Sequence, residues 1–198
     1  MVRSYGNGRE QGKIRTQMII SNEYIFVFVP RTGSHSIEAA ILENDPGAIS
    51  VDPGCPPFKW QPYDHSIEYQ KPVFAVLRDP VDWILSMYNG HSSWNGSRLN
   101  RYSPKLNATN TLNKNDILEL WYFLSKWYLQ TGCYQQTHWI GKSEVILFDD
   151  INEHFDFKIP KLNGVAKTIT CLDDSALSLA KEIWKEDFEL YAKLKGHK

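Results

Sequence analysis

Residues 24–37 read Y-I-F-V-F-V-P-R-T-G-S-H-S-I, and the change of character in the middle of this stretch decides the fold. Tyr24 to Val29 is short, nearly continuous in apolar side chains and partly β-branched, which suits a strand covered on both faces. From Pro30 the residues turn polar around Gly33. Ile37, Ala40 and Ile41 then recur at helical spacing until Asp45-Pro46 stops them. The order is strand, loop, helix, and a further apolar run from Met18 precedes it across the turn signal Ser21-Asn22-Glu23.

The same order returns downstream. Val73 to Leu77 predicts a strand; Asp79 is placed to cap the helix that follows, Pro80 fits its first position, and Asp82 complements its positive end. Val81, Ile84, Leu85 and Tyr88 form that helix's apolar face. Asp64 to Tyr69 predicts a short helix, and Asp116 to Gln130 a longer one, capped by Asn115 and ended by Gly132. In this longer helix Ile117, Leu120, Trp121, Leu124, Trp127 and Tyr128 face inward. Glu144 to Phe148 reads as a third strand. Ser175 to Leu194 reads as a final helix with Leu177, Ala180, Ile183, Trp184, Tyr191 and Leu194 on its apolar face. Strands alternating with helices predict an α/β domain with a central, largely parallel sheet flanked by helices. Its ligand crevice is expected beyond the carboxyl ends of the strands.

At 198 residues the chain fits one domain, with residues 1–15 read as a flexible N-terminus and 89–114 as a polar, functional loop. The composition, 42% hydrophobic and 23% charged, excludes disordered, collagen-like and coiled-coil classes. With 22 Lys and Arg against 23 Asp and Glu the net charge is -1, so no broad field draws nucleic acid or anionic lipid, and any anion site is local. No apolar run reaches the roughly 20 residues that span a bilayer. The N-terminal residues lack the apolar core of a secretory signal, which favours a cytoplasmic location; a secretory or Golgi luminal domain is the alternative for a chain trimmed of its leader. Cys55, Cys133 and Cys171 are far apart and without ligand spacing, so neither a disulfide framework nor a metal site is expected. The sequons at Asn95 and Asn107 matter only in a secretory compartment.

A loop that leaves a buried strand and opens a helix aims several backbone N–H groups at one spot, which attracts anions. Here Gly33 permits close approach, Thr32, Ser34 and Ser36 offer hydroxyls, and Arg31 adds a fixed charge with bidentate geometry, a set suited to phosphate or sulfate. An ordinary strand-helix turn with capping hydroxyls is the alternative reading. The triphosphate pattern G-x-x-x-x-G-K-S/T is absent. Gly141-Lys142-Ser143 has Gln136 where the first glycine belongs and precedes a strand instead of following one, which disfavours metal-dependent triphosphate hydrolysis. At the second junction Arg78 ends a strand and Ser86 lies two helical turns on, so both can meet one phosphate; an ion-paired arginine and a helix-face hydroxyl are the plain alternative.

Taken together, Y-I-F-V-F-V-P-R-T-G-S-H-S-I and F-A-V-L-R-D-P-V-D-W-I-L-S-M-Y resemble two motifs of the sulfotransferases that use 3′-phosphoadenosine 5′-phosphosulfate (PAPS), particularly the carbohydrate and heparan branches. The first is similar to the 5′-phosphosulfate loop P-K-T-G-G-T-S and the second to the 3′-phosphate motif R-x-P-x-x-R-x-x-S-x-Y, in the same order. E-V-I-L-F-D-D-I, I-P-K-L-N and E-I-W-K-E-D-F-E-L-Y are similar to later segments of that family, so the resemblance spans Met18 to Leu194. Arg31 stands in place of the usual lysine, Ser34-His35 in place of Gly-Thr, and Trp83 where many members have a second arginine.

The resemblance implies a P-loop-like three-layer domain. It implies transfer of a sulfuryl group from PAPS, without a metal, to a hydroxyl or amine of an acceptor such as a carbohydrate or small molecule. Arg31, Thr32, Gly33, Ser34, His35, Ser36, Arg78 and Ser86 would bind the donor, with Arg31 also stabilising charge on the departing nucleotide. His65 in P-Y-D-H-S-I-E-Y would be the base, since imidazole titrates near neutrality; a structural histidine paired with Asp64 is the competing reading, and Glu38 and His35 are alternative bases. His91, Trp94, Arg98, Arg101 and Tyr102 make residues 89–114 the acceptor-side loop. The other function classes are a noncatalytic module that binds PAPS or its product 3′-phosphoadenosine 5′-phosphate and, further off, a nucleotide or small-molecule kinase.

Overall fold

The computed structural model describes residues 18–51, 70–92, 110–128, 135–160 and 169–196. Strand β1 (Met18–Ile20) turns back through Ser21-Asn22-Glu23 into β2 (Ile25–Val27), so that Met18 faces Val27 and Ile20 faces Ile25 in an antiparallel pair. A reversal this short can join only antiparallel strands. The turn is anchored from outside the hairpin. Asp45, just past helix α1 (Ser34–Asn44), accepts from Ser21 Oγ at 2.6 Å, from Asn22 N at 3.3 Å and from Gly47 N at 2.9 Å. β3 (Ile49–Val51) pairs antiparallel with the other side of β1.

β4 (Val73–Leu77) lies parallel to β2, and β6 (Glu144–Leu147) lies parallel to β4, giving the order β3-β1-β2-β4-β6. The sheet is therefore mixed, not largely parallel throughout. Its parallel part is β2-β4-β6, whose members are joined by long crossovers, and its antiparallel part follows from the tight Ser21–Glu23 turn. A separate parallel pair, β5 (Thr111–Leu112) with β7 (Cys171–Leu172), lies outside it.

Alternation along the strands sends side chains to two separate cores. Ile25, Val27, Val29, Ala75, Leu77 and Leu147 join residues of α2 (Pro80–Ser92), α3 (Lys114–Tyr128), α4 (Gln136–Ile140), α6 (Asp174–Ile183) and α7 (Lys185–Gly196). Phe26, Phe28, Val76 and Ile146 join Ile37 and Ile41 of α1 and Ile151 of α5 (Ile151–His154). Trp83, Trp139 and Trp184 are all fully enclosed, and the rings of Trp83 and Trp184 meet edge to face at 6.3 Å. Among the described residues no helix is long and apolar enough to cross a membrane.

Several boundaries move, each for a local reason. Asp79 caps α2 as expected, its Oδ1 accepting from Val81 N at 2.9 Å and Asp82 N at 3.1 Å. The cap of α3 is Asn113, not Asn115. Asn113 Oδ1 accepts from Asn115 N at 2.8 Å while Asp116 Oδ2 accepts from Asn113 N at 2.8 Å, a reciprocal arrangement that needs a carboxylate three residues on. Along α3 Ile117, Leu120 and Leu124 are buried, but Trp121 is 39% exposed and sits with Leu118 and Tyr122 on the opposite stripe, Phe123 taking its place inside.

The expected single C-terminal helix is two helices. Asp173 caps the first by accepting from Ala176 N at 2.7 Å, and Trp184 leaves helical geometry at φ -108° and ψ 35° as its side chain enters the core. The expected polar stretch from Asn89 begins inside α2. Asn89 is buried there and exchanges bonds with Ile169, donating to its carbonyl at 2.9 Å and accepting from its N–H at 3.0 Å. The predicted helix at Asp64–Tyr69, residues 93–109 and Gly132 lie outside the described residues.

Candidate functional site

The carboxyl ends of β2, β4 and β6 deliver Pro30–Gly33, Arg78 and Phe148 to one place. The first loop is bound to the second helix: Trp83 Nε1 donates to the Pro30 carbonyl at 2.8 Å. Thr32 is turned inward and donates its hydroxyl to the Val29 carbonyl at 2.8 Å. Arg31 and Gly33 both have positive φ, 66° and 80°. For arginine that conformation costs about 1–2 kcal/mol, strain that the surrounding bonds must hold.

Arg31 does not extend away from this turn. Its Nε donates to the Ser86 carbonyl at 3.2 Å and to Ser86 Oγ at 3.3 Å, and its guanidinium lies on the backbone of Gly90, where a Cβ would come within 2.5 Å of Arg31 Cζ. Arg78 closes the ring by donating from Nη1 to the Arg31 carbonyl at 3.2 Å. The two junctions are therefore joined through Arg31, whose carbonyl takes the Arg78 guanidinium and whose own guanidinium takes Ser86. The structure thus links Arg78 to the Arg31 main chain and Ser86 to the Arg31 side chain, whereas the sequence reading paired Ser86 with Arg78.

The Arg78 side chain is largely enclosed, 15% exposed. Its guanidinium carbon lies 5.1 Å from the centre of the Phe148 ring, and Asp82 approaches Nη2 only to 3.9 Å. Burial pulls its pKa below the ordinary arginine value, opposed by the charges of Asp82, Asp79 and Asp149, and arginine remains protonated at any ordinary pH. Its Nε is buried without a hydrogen-bond partner among the described residues. An enclosed cation with an unanswered donor is suited to an oxyanion.

At the first junction Gly33 caps α1 with no side-chain hydrogen bond, and no acidic residue occupies the first turn. Ser36 N and Ile37 N donate to the Gly33 carbonyl at 2.9 and 3.1 Å, which leaves the N–H groups of Ser34 and His35 at the head of the helix without an acceptor from its first turn. Ser34 and Ser36 are nearly buried at this end, and Phe148 packs so close to Gly33 that a Cβ there would stand 3.0 Å from its Cε2. His35 Nδ1 is 4.0 Å from Glu38 Oε2, and Ser50 Oγ donates to Glu38 Oε1 at 2.8 Å, so the two alternative bases lie side by side on α1. His65 and the acceptor-loop residues Trp94, Arg98, Arg101 and Tyr102 lie outside the described residues, as does the side chain of His91.

Sequence reasoning missed Gln136 and Asp187. Gln136 is fully buried and reads both backbone groups of Arg78: its Oε1 accepts from Arg78 N at 3.0 Å and its Nε2 donates to the Arg78 carbonyl at 3.0 Å. Asp187, also fully buried, accepts from Gln136 N and Thr137 N, each at 2.8 Å. Burial raises the Asp187 pKa against the lowering effect of those two bonds. No local pattern announces this contact, because α4 and α7 are distant in sequence. Phe148 was legible only as a strand end, and Gly90, read as part of the polar loop from Asn89, lies in α2.

Comparison with family models, with curated proteins and with solved structures finds no match. Among the described residues no group of three or more His, Cys, Asp and Glu side chains is placed to hold a metal ion.

Proposed function

We propose that the chain is a PAPS-dependent sulfotransferase acting on a hydroxyl or amine of a carbohydrate or small molecule. In this reading it has a P-loop-like, three-layer architecture built on the parallel β2-β4-β6 core. The observation that carries the reading is the joining of the two junctions: Arg78 Nη1 on the Arg31 carbonyl and Arg31 Nε on Ser86. Two sequence motifs read independently as ends of one nucleotide site are thereby adjacent in space.

When bound, the nucleotide supplies the sulfuryl group and departs with additional negative charge on its 5′-phosphate. In this reading Gly33, Ser34, His35 and Ser36 hold that phosphate through the start of α1. Thr32 shapes the turn through its bond to Val29, and Arg31 opposes the developing charge. Arg78 and Ser86 hold the 3′-phosphate, with Phe148 fixing the plane of the Arg78 guanidinium. His65 takes the acceptor proton, and the loop within residues 89–114 selects the acceptor. Preorganised donors cost no rearrangement at the moment of transfer, which is why their fixed geometry matters.

Calorimetry with 3′-phosphoadenosine 5′-phosphate and with ATP, followed by transfer of labelled sulfate to a panel of sugars and phenols, tests the reading. The former nucleotide should bind and ATP should not; the reverse order points to a kinase. Binding with no transfer to any acceptor identifies a noncatalytic nucleotide-binding module, an outcome consistent with Arg31 being engaged by Ser86. Arg31→Ala should depress turnover, and His65→Gln should do the same. Full transfer by the His65 variant moves the base to His35 or Glu38.

A further inference from the structure

We propose that Gln136 and Asp187 are positioning residues for the anion site, forming a buried relay that fixes the Arg78 main chain and thereby aims its guanidinium. Arg78 is the first residue past β4, where the strand ladder ends and its N–H and C=O need partners from elsewhere. The Gln136 side chain supplies both, at 3.0 Å each. Gln136 is itself held through its own N–H by Asp187 Oδ2, while Asp187 Oδ1 takes the N–H of Thr137. The neighbouring pair repeats the arrangement: Gln135 Nε2 donates to Glu186 Oε2 at 2.6 Å. The start of α7 thus clasps the start of α4, and α4 clasps the end of β4.

A fully buried carboxylate is costly unless it is answered by hydrogen bonds, and Asp187 spends its two oxygens on two main-chain N–H groups. Their effect is to immobilise a glutamine whose side chain, among the described residues, is engaged by the two backbone groups of Arg78. With its main chain locked, the Arg78 guanidinium is tethered to the Arg31 carbonyl, lies 3.9 Å from the exposed Asp82 carboxylate and has a flat support in Phe148. Its unpartnered Nε is then directed by the relay. The inference rests on the sulfotransferase reading for the identity of the anion, which is the 3′-phosphate of the nucleotide.

The test compares the wild-type chain with Gln136→Met and Asp187→Asn. Binding of 3′-phosphoadenosine 5′-phosphate and of adenosine 5′-monophosphate, which lacks the 3′-phosphate, is measured by calorimetry, and amide hydrogen exchange is followed at Arg78. Gln136→Met should weaken the doubly phosphorylated nucleotide about tenfold or more and leave the monophosphate within about twofold. The Arg78 amide should lose protection while those of Val73–Val76 keep it. Asp187→Asn retains Gln136 and one acceptor, so it should show a smaller loss with the same selectivity, and it decides the matter should Gln136→Met not fold. Equal losses for both nucleotides, or unchanged affinity with unchanged exchange at Arg78, overturn the relay. A wild-type chain that binds neither nucleotide overturns the sulfotransferase reading and the relay with it, whereas wild-type binding with indifferent variants overturns the relay alone.

Discussion

Gly90→Ala separates the stability of the chain from the placement of Arg31. A Cβ at Gly90 would lie 2.5 Å from Arg31 Cζ, 2.5 Å from Nη2 and 2.9 Å from Nη1, well inside the roughly 3.5 Å of ordinary contact. These atoms are the far end of a flexible side chain, so the guanidinium can yield by about 1 Å without moving the backbone of α2. That displacement breaks the bonds to Ser86, which at 3.2 and 3.3 Å are already long. Alanine in a helix gains up to about 1 kcal/mol over glycine, which offsets the lost contacts of a half-buried arginine. Folding stability should therefore change by no more than about 1 kcal/mol. Binding should not be spared: a misplaced charged hydrogen bond costs about 1.5–3 kcal/mol, or about tenfold to a hundredfold in affinity for 3′-phosphoadenosine 5′-phosphate. Urea denaturation gives the first quantity and calorimetry the second, with Gly196→Ala, where nothing lies within 4 Å, as the neutral control. Affinity within about twofold of wild type in a stably folded variant would show that Arg31 is not held where binding needs it. A loss of several kcal/mol of stability would show instead that the side chain cannot give way.

Three other perturbations follow from the same geometry. Trp83→Phe removes the indole donor to the buried Pro30 carbonyl and should cost about 1–3 kcal/mol in urea unfolding; a cost under about 0.5 kcal/mol would mean that the loop does not depend on this bond. Gly33→Ala places a side chain at φ 80° and 3.0 Å from Phe148, so its melting temperature should fall. Adding Phe148→Leu should recover the steric part of the loss and leave the dihedral part of about 1–2 kcal/mol, and no recovery in the double variant counts against the contact. Asp45 has its pKa lowered, first by the Ser21 hydroxyl and also by backbone N–H groups, so the ionised form is the one that stabilises the fold. Its contribution is present above the unfolded carboxylate value of about 3.9 and is lost as pH falls through the depressed folded value. The stability gap between wild type and Asp45→Asn should consequently be widest near neutrality and shrink on acidification; a gap that widens in acid contradicts the assignment.

Each strand and helix that the sequence announces does so through a repeating local pattern. Val73 to Leu77 is a strand because it is continuously apolar, and α2 begins at Pro80 because Asp79 precedes it with a capping oxygen. Even the mixed character of the sheet was present in Ser21-Asn22-Glu23, a reversal too short to permit parallel pairing. Trp121 shows the limit of pattern alone. Its spacing is compatible with the core, but Phe123 fills the interior, and which of the two neighbouring aromatics turns inward depends on what other helices present to them.

Composition and local order were enough to place Arg31 and Arg78 at two strand ends and Ser86 on a helix, because strand-to-helix punctuation is written in adjacent residues. Their convergence depended on β2 and β4 lying side by side and parallel, which puts both carboxyl ends on one edge of the sheet. The support beneath them, Gln136 on Arg78 and Asp187 on Gln136, was decided by tertiary structure alone. A hydrogen bond between residues fifty positions apart leaves no periodicity in the chain, and only the packing of α7 against α4 brings its donor and acceptor together.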